Sequence, residues 1–391
     1  MDAVGTRESP GAAPAGQVRY AEPTRVGRIP SLDGIRGLAV LVVIVHNAAW
    51  ITGESDVLLN KMVSAGAAAG WVGVQLFFVL SGLLITGILL DTKDGPDYFR
   101  RFYVRRTLRI FPPYYALLVL VLVVLPLVVH DADWLDAYTG RQWPYWLYVS
   151  NWFPGIRGLG HLWSLGVEEQ FYLVWPLLVW WLSRERLVLL CWLVMAVTPL
   201  IRLGLHVTGL PPEAAYAFTI ARWDALAAGA LLAALLRDAD GRDRVTHLRG
   251  PVAVVSSLGV VTLVAVQHGL NALELPVEVF GQSLFAALSA CLLAYALSER
   301  SRLAAHLSIS WLRFLGRYSY AMYLFHFPIN FALSPAFGPW VRGSDGPART
   351  LRLATYLTVV FSLTILASLA SWAWIEEPAM AFREHIAPPD A

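Results

Sequence analysis

His161, Ser164, Glu168, Glu169 and Gln170 run without a break into the apolar stretch Phe171 to Leu182. Acids at the mouth of a membrane-spanning helix are expensive, and they usually face a cavity or a partner rather than lipid. If the segment is helical from Leu162, Ser164 and Glu168 share a face, with Tyr172 one turn further on. Two more histidines lie inside apolar runs. His46 follows Arg36 by ten residues, which places it about 15 Å further along a helix. His326 closes the sequence Ser319-Tyr-Ala-Met-Tyr323-Leu-Phe-His326, in which Ser319, Tyr323 and His326 share a face. An imidazole near mid-bilayer can act as a general base, because its ordinary pKa is close to neutrality. Alternatively, it is a core histidine bonded to a neighbouring carbonyl.

The cationic residues point to a second kind of chemistry. Arg106 and Arg109 stand one turn apart before an apolar run, a fork suited to phosphate, although basic residues also flank cytosolic span ends for topological reasons. Arg222 and Asp224 are two apart and cannot face each other on a helix. Each therefore needs a partner elsewhere. The acids at 168 and 169 are the expected partners of Arg222, in a structural ion pair between spans. Gln75 and Ser81 are polar residues in a second apolar run, where Gly66, Gly70 and Gly73 permit close helix approach.

The elements that must position these groups are membrane helices. Of 391 residues 57% are hydrophobic and 15% charged, with 16 tryptophans, whereas soluble domains carry about 25% charged residues. The expected fold is all-α and polytopic, with about ten transmembrane helices near 35–51, 71–91, 110–129, 166–182, 187–205, 214–236, 251–267, 277–297, 318–336 and 352–375. The fourth is short unless Glu168 to Gln170 enter the membrane. Arginines concentrate on one side, at 100–109, 237–249 and 300–317, which orients both termini to the cytosol. On this reading Arg202 flanks an outer loop, and the tryptophans and tyrosines of 130–160, among them Trp134, are interfacial anchors or an outer lid. Residues 1–29 read as a disordered cytosolic tail, 30–383 as one membrane domain and 384–391 as a short tail. Cys191 and Cys291 lie in apolar runs and read as buried hydrophobes. They make neither a disulfide framework nor a metal site, and no metal is expected. A net charge of +2 gives no argument for nucleic acid.

These blocks, in this order, resemble the acyltransferase-3 family of membrane acyltransferases, which includes O-antigen and peptidoglycan O-acetyltransferases and enzymes that acylate macrolide sugars. The closest matches are Gly73 to Thr86, His161 to Pro176 and Ser319 to Pro328, and the likeness covers about residues 30 to 383. It implies transfer of an acyl group, usually acetyl, from acyl-CoA as co-substrate to a sugar hydroxyl. The acceptor would be an envelope glycan, a lipid-linked sugar or a glycoside. No permanently bound cofactor is implied, and the location would be the cytoplasmic membrane, multi-pass.

The family pattern of a basic residue, ten residues and a catalytic histidine matches Arg36, but here His46 comes after nine residues and Asn47 stands at the family's position. A step of ten leaves a rotation of about 80° from Arg36 on a helix. Either a local irregularity re-aims His46, or the two act from different faces. Asn47 cannot serve as a base, so His46 carries that role in this reading. The family's basic pair matches Arg106 and Arg109, which with Arg36 would hold the CoA phosphates. Trp163 or Ser164 would stabilise an oxyanion, and Glu168 or Glu169 would orient the histidine or pair with an arginine. His161, Arg222, Asp224, Ser319, Tyr323 and His326 would support the site. An esterase-like domain of the SGNH type, present in some relatives, is not expected after the membrane region. The alternative readings are a transporter or channel, whose flux would need no acyl-CoA, and a non-catalytic scaffold.

Overall fold

The computed structural model describes Tyr20 and residues 29–52, 68–128, 142–153, 155–298 and 301–386. Among these, ten helices have thirteen residues or more. They are α1 (Pro30–Ala49), α2 (Val72–Thr92), α3 (Tyr98–Val119), α4 (Trp163–Trp181) and α5 (Arg184–Val207). The second half adds α6 (Trp223–Leu235), α7 (Ala239–Gln267), α8 (Gln282–Leu297), α9 (Ser310–Arg342) and α10 (Gly346–Ser371). Trp134, residues 1–19 and 21–28 of the expected N-terminal tail, and residues 387–391 lie outside the described residues. Tyr20, inside that tail, is held in place. It bridges to Ser298, and its hydroxyl meets Thr246 Oγ1 at 2.8 Å.

The chain is an all-α membrane protein. Seven helical stretches among the described residues are long and apolar enough to cross a bilayer. They include α1, α2, α5 and α7, α3 extended to Val128, α8 with the wider turn Val277–Gly281 before it, and α10 continued to Phe382. α4, α6 and α9 are not among them. α4 takes Glu168, Glu169 and Gln170 into its second turn, and α9 contains the Ser319–His326 stretch. The expected span 214–236 is not one helix. Pro212–Ala217 forms a short helix and Thr219–Ala221 a tight turn, and α6 begins only after Arg222, whose backbone has left helical geometry at φ −123° and ψ −4°. Arg222 and Asp224, on either side of this break, bond to partners on other helices, Gln75 on α2 and Arg202 on α5.

Packing follows the small residues. α6 is apolar nearly all round and buried from Asp224 to Ala234, as expected of a helix at the centre of a bundle. It packs on α2, α5 and α8. At its crossing with α2 a Cβ on Gly82 would sit 1.9 Å from Leu226 O, and one on Gly229 would sit 1.9 Å from Val79 O. Only glycine fits at either place. α1 packs chiefly on α9, and α9 on α10. Here a Cβ on Gly316 would lie 1.7 Å from Asp33 O. α7 turns Val254, Val255, Leu258, Val261 and Val266 outward, the surface a helix shows to lipid.

The buried polar groups correct the sequence-based expectation for Arg222 and Arg202. Arg202 does not flank a loop. It is fully buried on α5 and pairs with Asp224 at 2.9 Å. It also donates to Ala221 O, Val279 O, Gln282 Oε1 and Ser283 Oγ. Arg222 pairs with neither Glu168 nor Glu169; its Nη2 donates to Gln75 Oε1 at 2.8 Å. Asp224 thus holds α5, α6 and α8 together, with Arg202 rather than Arg222 as its cation.

Candidate active site

A cavity of about 290 Å³ opens between α1, α2, α3, α4 and α9. Each helix contributes polar groups to an otherwise apolar wall. Asp33 and Arg36 come from α1, Ser81 from α2, Arg106 and Arg109 from α3, Ser164 and Glu168 from α4, and Ser319, Tyr320 and Tyr323 from α9. Phe77, Phe78, Leu84 and Ile85 are among the apolar residues between them. The i, i+4 spacing of Ser164 and Glu168 puts both in the wall, and so does that of Ser319 and Tyr323.

The three arginines are held differently. Arg36 donates from Nη1 to Asp33 Oδ1 at 3.1 Å, one turn earlier on the same helix. Arg106 lies flat on Tyr172, with Cζ 3.9 Å from the ring centroid, and its buried Nε has no hydrogen-bond partner among the described residues. Tyr172 in turn hydrogen-bonds Ser81, so the ring that carries the guanidinium is itself tied to α2. Glu168 and Glu169 act on Arg106 electrostatically without forming an ion pair with it. Glu169 does not line the cavity, and Glu376 is among the acids acting on Arg109.

In the same wall Ser164 and Tyr323 bring their hydroxyls to 2.5 Å. The Tyr323 hydroxyl donates to His161 O at 2.9 Å. Behind this pair lie two buried histidines with ring centroids 5.2 Å apart. A backbone carbonyl only accepts, so the ring nitrogen facing it carries a proton, and in a neutral ring the other nitrogen does not. His161 donates from Nε2 to Leu324 O at 3.1 Å, leaving Nδ1 unprotonated and without a partner among the described residues. His326 donates from Nδ1 to Tyr323 O at 2.7 Å, and its Nε2 accepts from Asn47 Nδ2 at 3.2 Å. Asn47 is fixed in turn, donating to Val43 O at 3.0 Å and accepting at its backbone carbonyl from Asn330 Nδ2 at 3.0 Å.

The structure therefore brings together Arg36, Arg106, Arg109, Ser164, Glu168, Ser319 and Tyr323, and leaves His46 out of the wall. α1 runs unbroken from Pro30 to Ala49, so no irregularity re-aims His46. Its ring meets Trp50 edge-on at 6.2 Å, and its Cβ would be 2.4 Å from a Cβ on Gly70. Asn47, eleven residues from Arg36, takes the place beside His326. Trp163 stands just outside the cavity, its ring edge-to-face with Phe78 at 6.0 Å. Sequence reasoning missed the Ser81–Tyr172 and Asn47–His326 contacts, which join helices far apart in the chain and leave no periodic signal.

The family model described as an acyltransferase domain, that of the acyltransferase-3 family, matches residues 29–373. The chain is 31% identical over 333 residues to a candidate peptidoglycan O-acetyltransferase of Bacillus subtilis strain 168, covering 78% of this chain and 49% of that protein. It is 31% identical over 343 residues to the peptidoglycan O-acetyltransferase OatA of Listeria monocytogenes, covering 80% of this chain and 51% of the other. With a candidate O-acetyltransferase of Staphylococcus aureus strain COL it shares 28% identity over 377 residues, 90% of this chain and 57% of the relative. The chain thus spans about half the length of the curated relatives it matches. No solved structure matches it. With the family model covering nearly all of the helical bundle and its polar cavity, the chain belongs to the acyltransferase-3 family.

Proposed function

We propose that this chain is a membrane O-acyltransferase that moves an acyl group, acetyl in the first instance, from acyl-CoA to a hydroxyl of a glycan acceptor. The observation that carries the donor is the convergence of Arg36, Arg106 and Arg109 on one cavity whose wall also holds Ser164 and Tyr323. Guanidinium groups suit phosphates, and apolar residues such as Phe77, Phe78, Leu84 and Ile85 line the same cavity, as a pantetheine arm would require. The arginine asymmetry supports a cytosolic mouth, cytosolic termini and a place in the cytoplasmic membrane. Two relatives named for peptidoglycan support an envelope glycan as acceptor.

In this mechanism the acceptor hydroxyl oxygen attacks the thioester carbonyl carbon while its proton passes to an imidazole. The C–O bond forms, the carbonyl π pair moves onto oxygen, and hydrogen-bond donors stabilise the resulting oxyanion. As the carbonyl re-forms, the C–S bond breaks and CoA leaves as a thiolate, which takes the proton from the imidazolium. His46 is the base that the sequence pattern selects. A second reading has its own observation: His161 Nδ1 is a buried lone pair with no donor facing it, while His46 is outside the cavity wall.

Purified protein in detergent, given acetyl-CoA and peptidoglycan fragments, is expected to release CoA and yield O-acetylated sugar. No release by the parent protein would defeat the function. A drop of about 100-fold in kcat for His46→Ala assigns the base to His46. The same drop in His161→Gln, whose amide can still donate to Leu324 O, with His46→Ala active, assigns it to His161.

A further inference from the structure

Arg222 is fully buried but does not serve as a cation in the ion pair its surroundings offer. Nη2 donates to Gln75 Oε1, while Nε and Nη1 have no hydrogen-bond partner among the described residues. The nearest acid in sequence, Asp224, is committed to Arg202 at 2.9 Å and to Ser283 Oγ at 2.6 Å. Aromatic rings frame the guanidinium instead. Its Cζ lies 5.4 Å from the centroid of Phe78, 5.3 Å from Trp163 and 4.9 Å from Tyr216. Ring faces offset part of the charge, but they do not satisfy N–H donors, and an unmet buried donor is destabilising.

The frame is continuous with the cavity. Phe78 is part of the cavity wall, and Trp163 directly precedes Ser164, another wall residue, whose hydroxyl meets that of Tyr323. Arg222 does not itself line the cavity; a positive charge with unmatched donors, shielded from water, thus stands one aromatic layer behind the wall that holds Phe78 and Ser164. We propose that Arg222 recognises an anionic oxygen of the reacting species, reached past the Phe78–Trp163 side of the cavity. The proposal rests on the acyl-transfer reading above. Two sources share this chemistry: the oxyanion of the tetrahedral intermediate, and a carboxylate on the sugar acceptor. The competing role is structural. Glu278 is also fully buried with neither carboxylate oxygen partnered, and a water could join it to Arg222.

The test uses the full chain in detergent, acetyl-CoA, and two acceptors: a chitin disaccharide without a carboxylate, and a disaccharide containing muramic acid, which has one. If the oxyanion is the ligand, Arg222→Gln lowers kcat about 100-fold with either acceptor and leaves binding of a thioether analogue of acetyl-CoA unchanged. If a carboxylate is the ligand, the loss falls on KM for the muramic acid acceptor alone. Activity within threefold of the parent on both acceptors overturns the proposal. So does recovery of Arg222→Gln by a second change, Glu278→Gln, because that is the behaviour of a structural pair. If Arg222→Gln does not fold, Arg222→Lys is the variant to read. It keeps the charge and loses the fork, and a loss of at least about tenfold in kcat/KM with analogue binding intact supports the proposal, whereas no loss overturns it. A parent protein that turns over neither acceptor defeats the acyl-transfer reading itself, a different result from a working parent with an unaffected Arg222 variant.

Discussion

Arg202 and Arg106 are both arginines inside a bundle of apolar helices, and the chain surrounds them in opposite ways. Arg202 directs its two terminal nitrogens to five acceptors from α6, α8 and their flanking turns, with Asp224 as counter-ion. Arg106 rests on one ring and lines open volume; the Nε of each arginine has no hydrogen-bond partner among the described residues. A buried charge that holds helices together must find its ligands within the chain, or its desolvation goes uncompensated. A charge kept for a substrate would border open space instead. The difference separates the structural polar cluster of α5, α6 and α8 from the candidate active site of α1, α3, α4 and α9.

The sharpest break of this comparison is Asp224→Ala, which leaves the Arg202 cation buried without its counter-ion. It is expected to destabilise the protein by about 3–5 kcal/mol, read as a lower unfolding midpoint in detergent. An unchanged midpoint would remove the structural half of the contrast. Arg106→Ala should do the reverse. We expect kcat/KM for acetyl-CoA to fall about 100-fold, equivalent to about 2.7 kcal/mol, with the midpoint close to the parent's. A comparable loss of stability would place Arg106 with Arg202. Gly229→Ala adds a Cβ 1.9 Å from Val79 O and should destabilise by about 1–3 kcal/mol. Gly204→Ala is its control, because nothing lies within 4 Å of the added carbon. The smallest effect concerns salt. Raising ionic strength should increase KM for acetyl-CoA a few-fold, roughly as screening predicts, and leave KM for acetyl-pantetheine, which lacks the phosphates at issue, unchanged. Equal response of both donors would remove the phosphate role from the arginines.

Much of the candidate site was legible because its spacing is local. Ser164 with Glu168, Ser319 with Tyr323, and Arg106 with Arg109 are neighbours on a helix surface wherever that helix goes, and all six line the cavity. Arg202 was misread because it lies near the end of an apolar run, where a charge looks like a span boundary; the Asp224 on the neighbouring helix that makes it an interior residue has no fixed offset in the chain. Arg222 was expected to meet the acids of α4 for the same lack of information. The break before α6 was hidden too, since an apolar run with two charges reads as one span until partners pull those charges in different directions.

Composition and periodicity alone determined that this chain is an all-α membrane protein with polar residues grouped on a few helix faces, because hydrophobicity and helical repeat are properties of neighbouring residues. Tertiary structure alone decided which of those faces meet. The register of α1 is the clearest case: an unbroken helix puts Asn47 in hydrogen-bond contact with His326. It also decided which arginine found an acid and which was left facing open space, since that depends on helix crossings set by glycine contacts such as Gly82 with Leu226, between residues far apart in sequence.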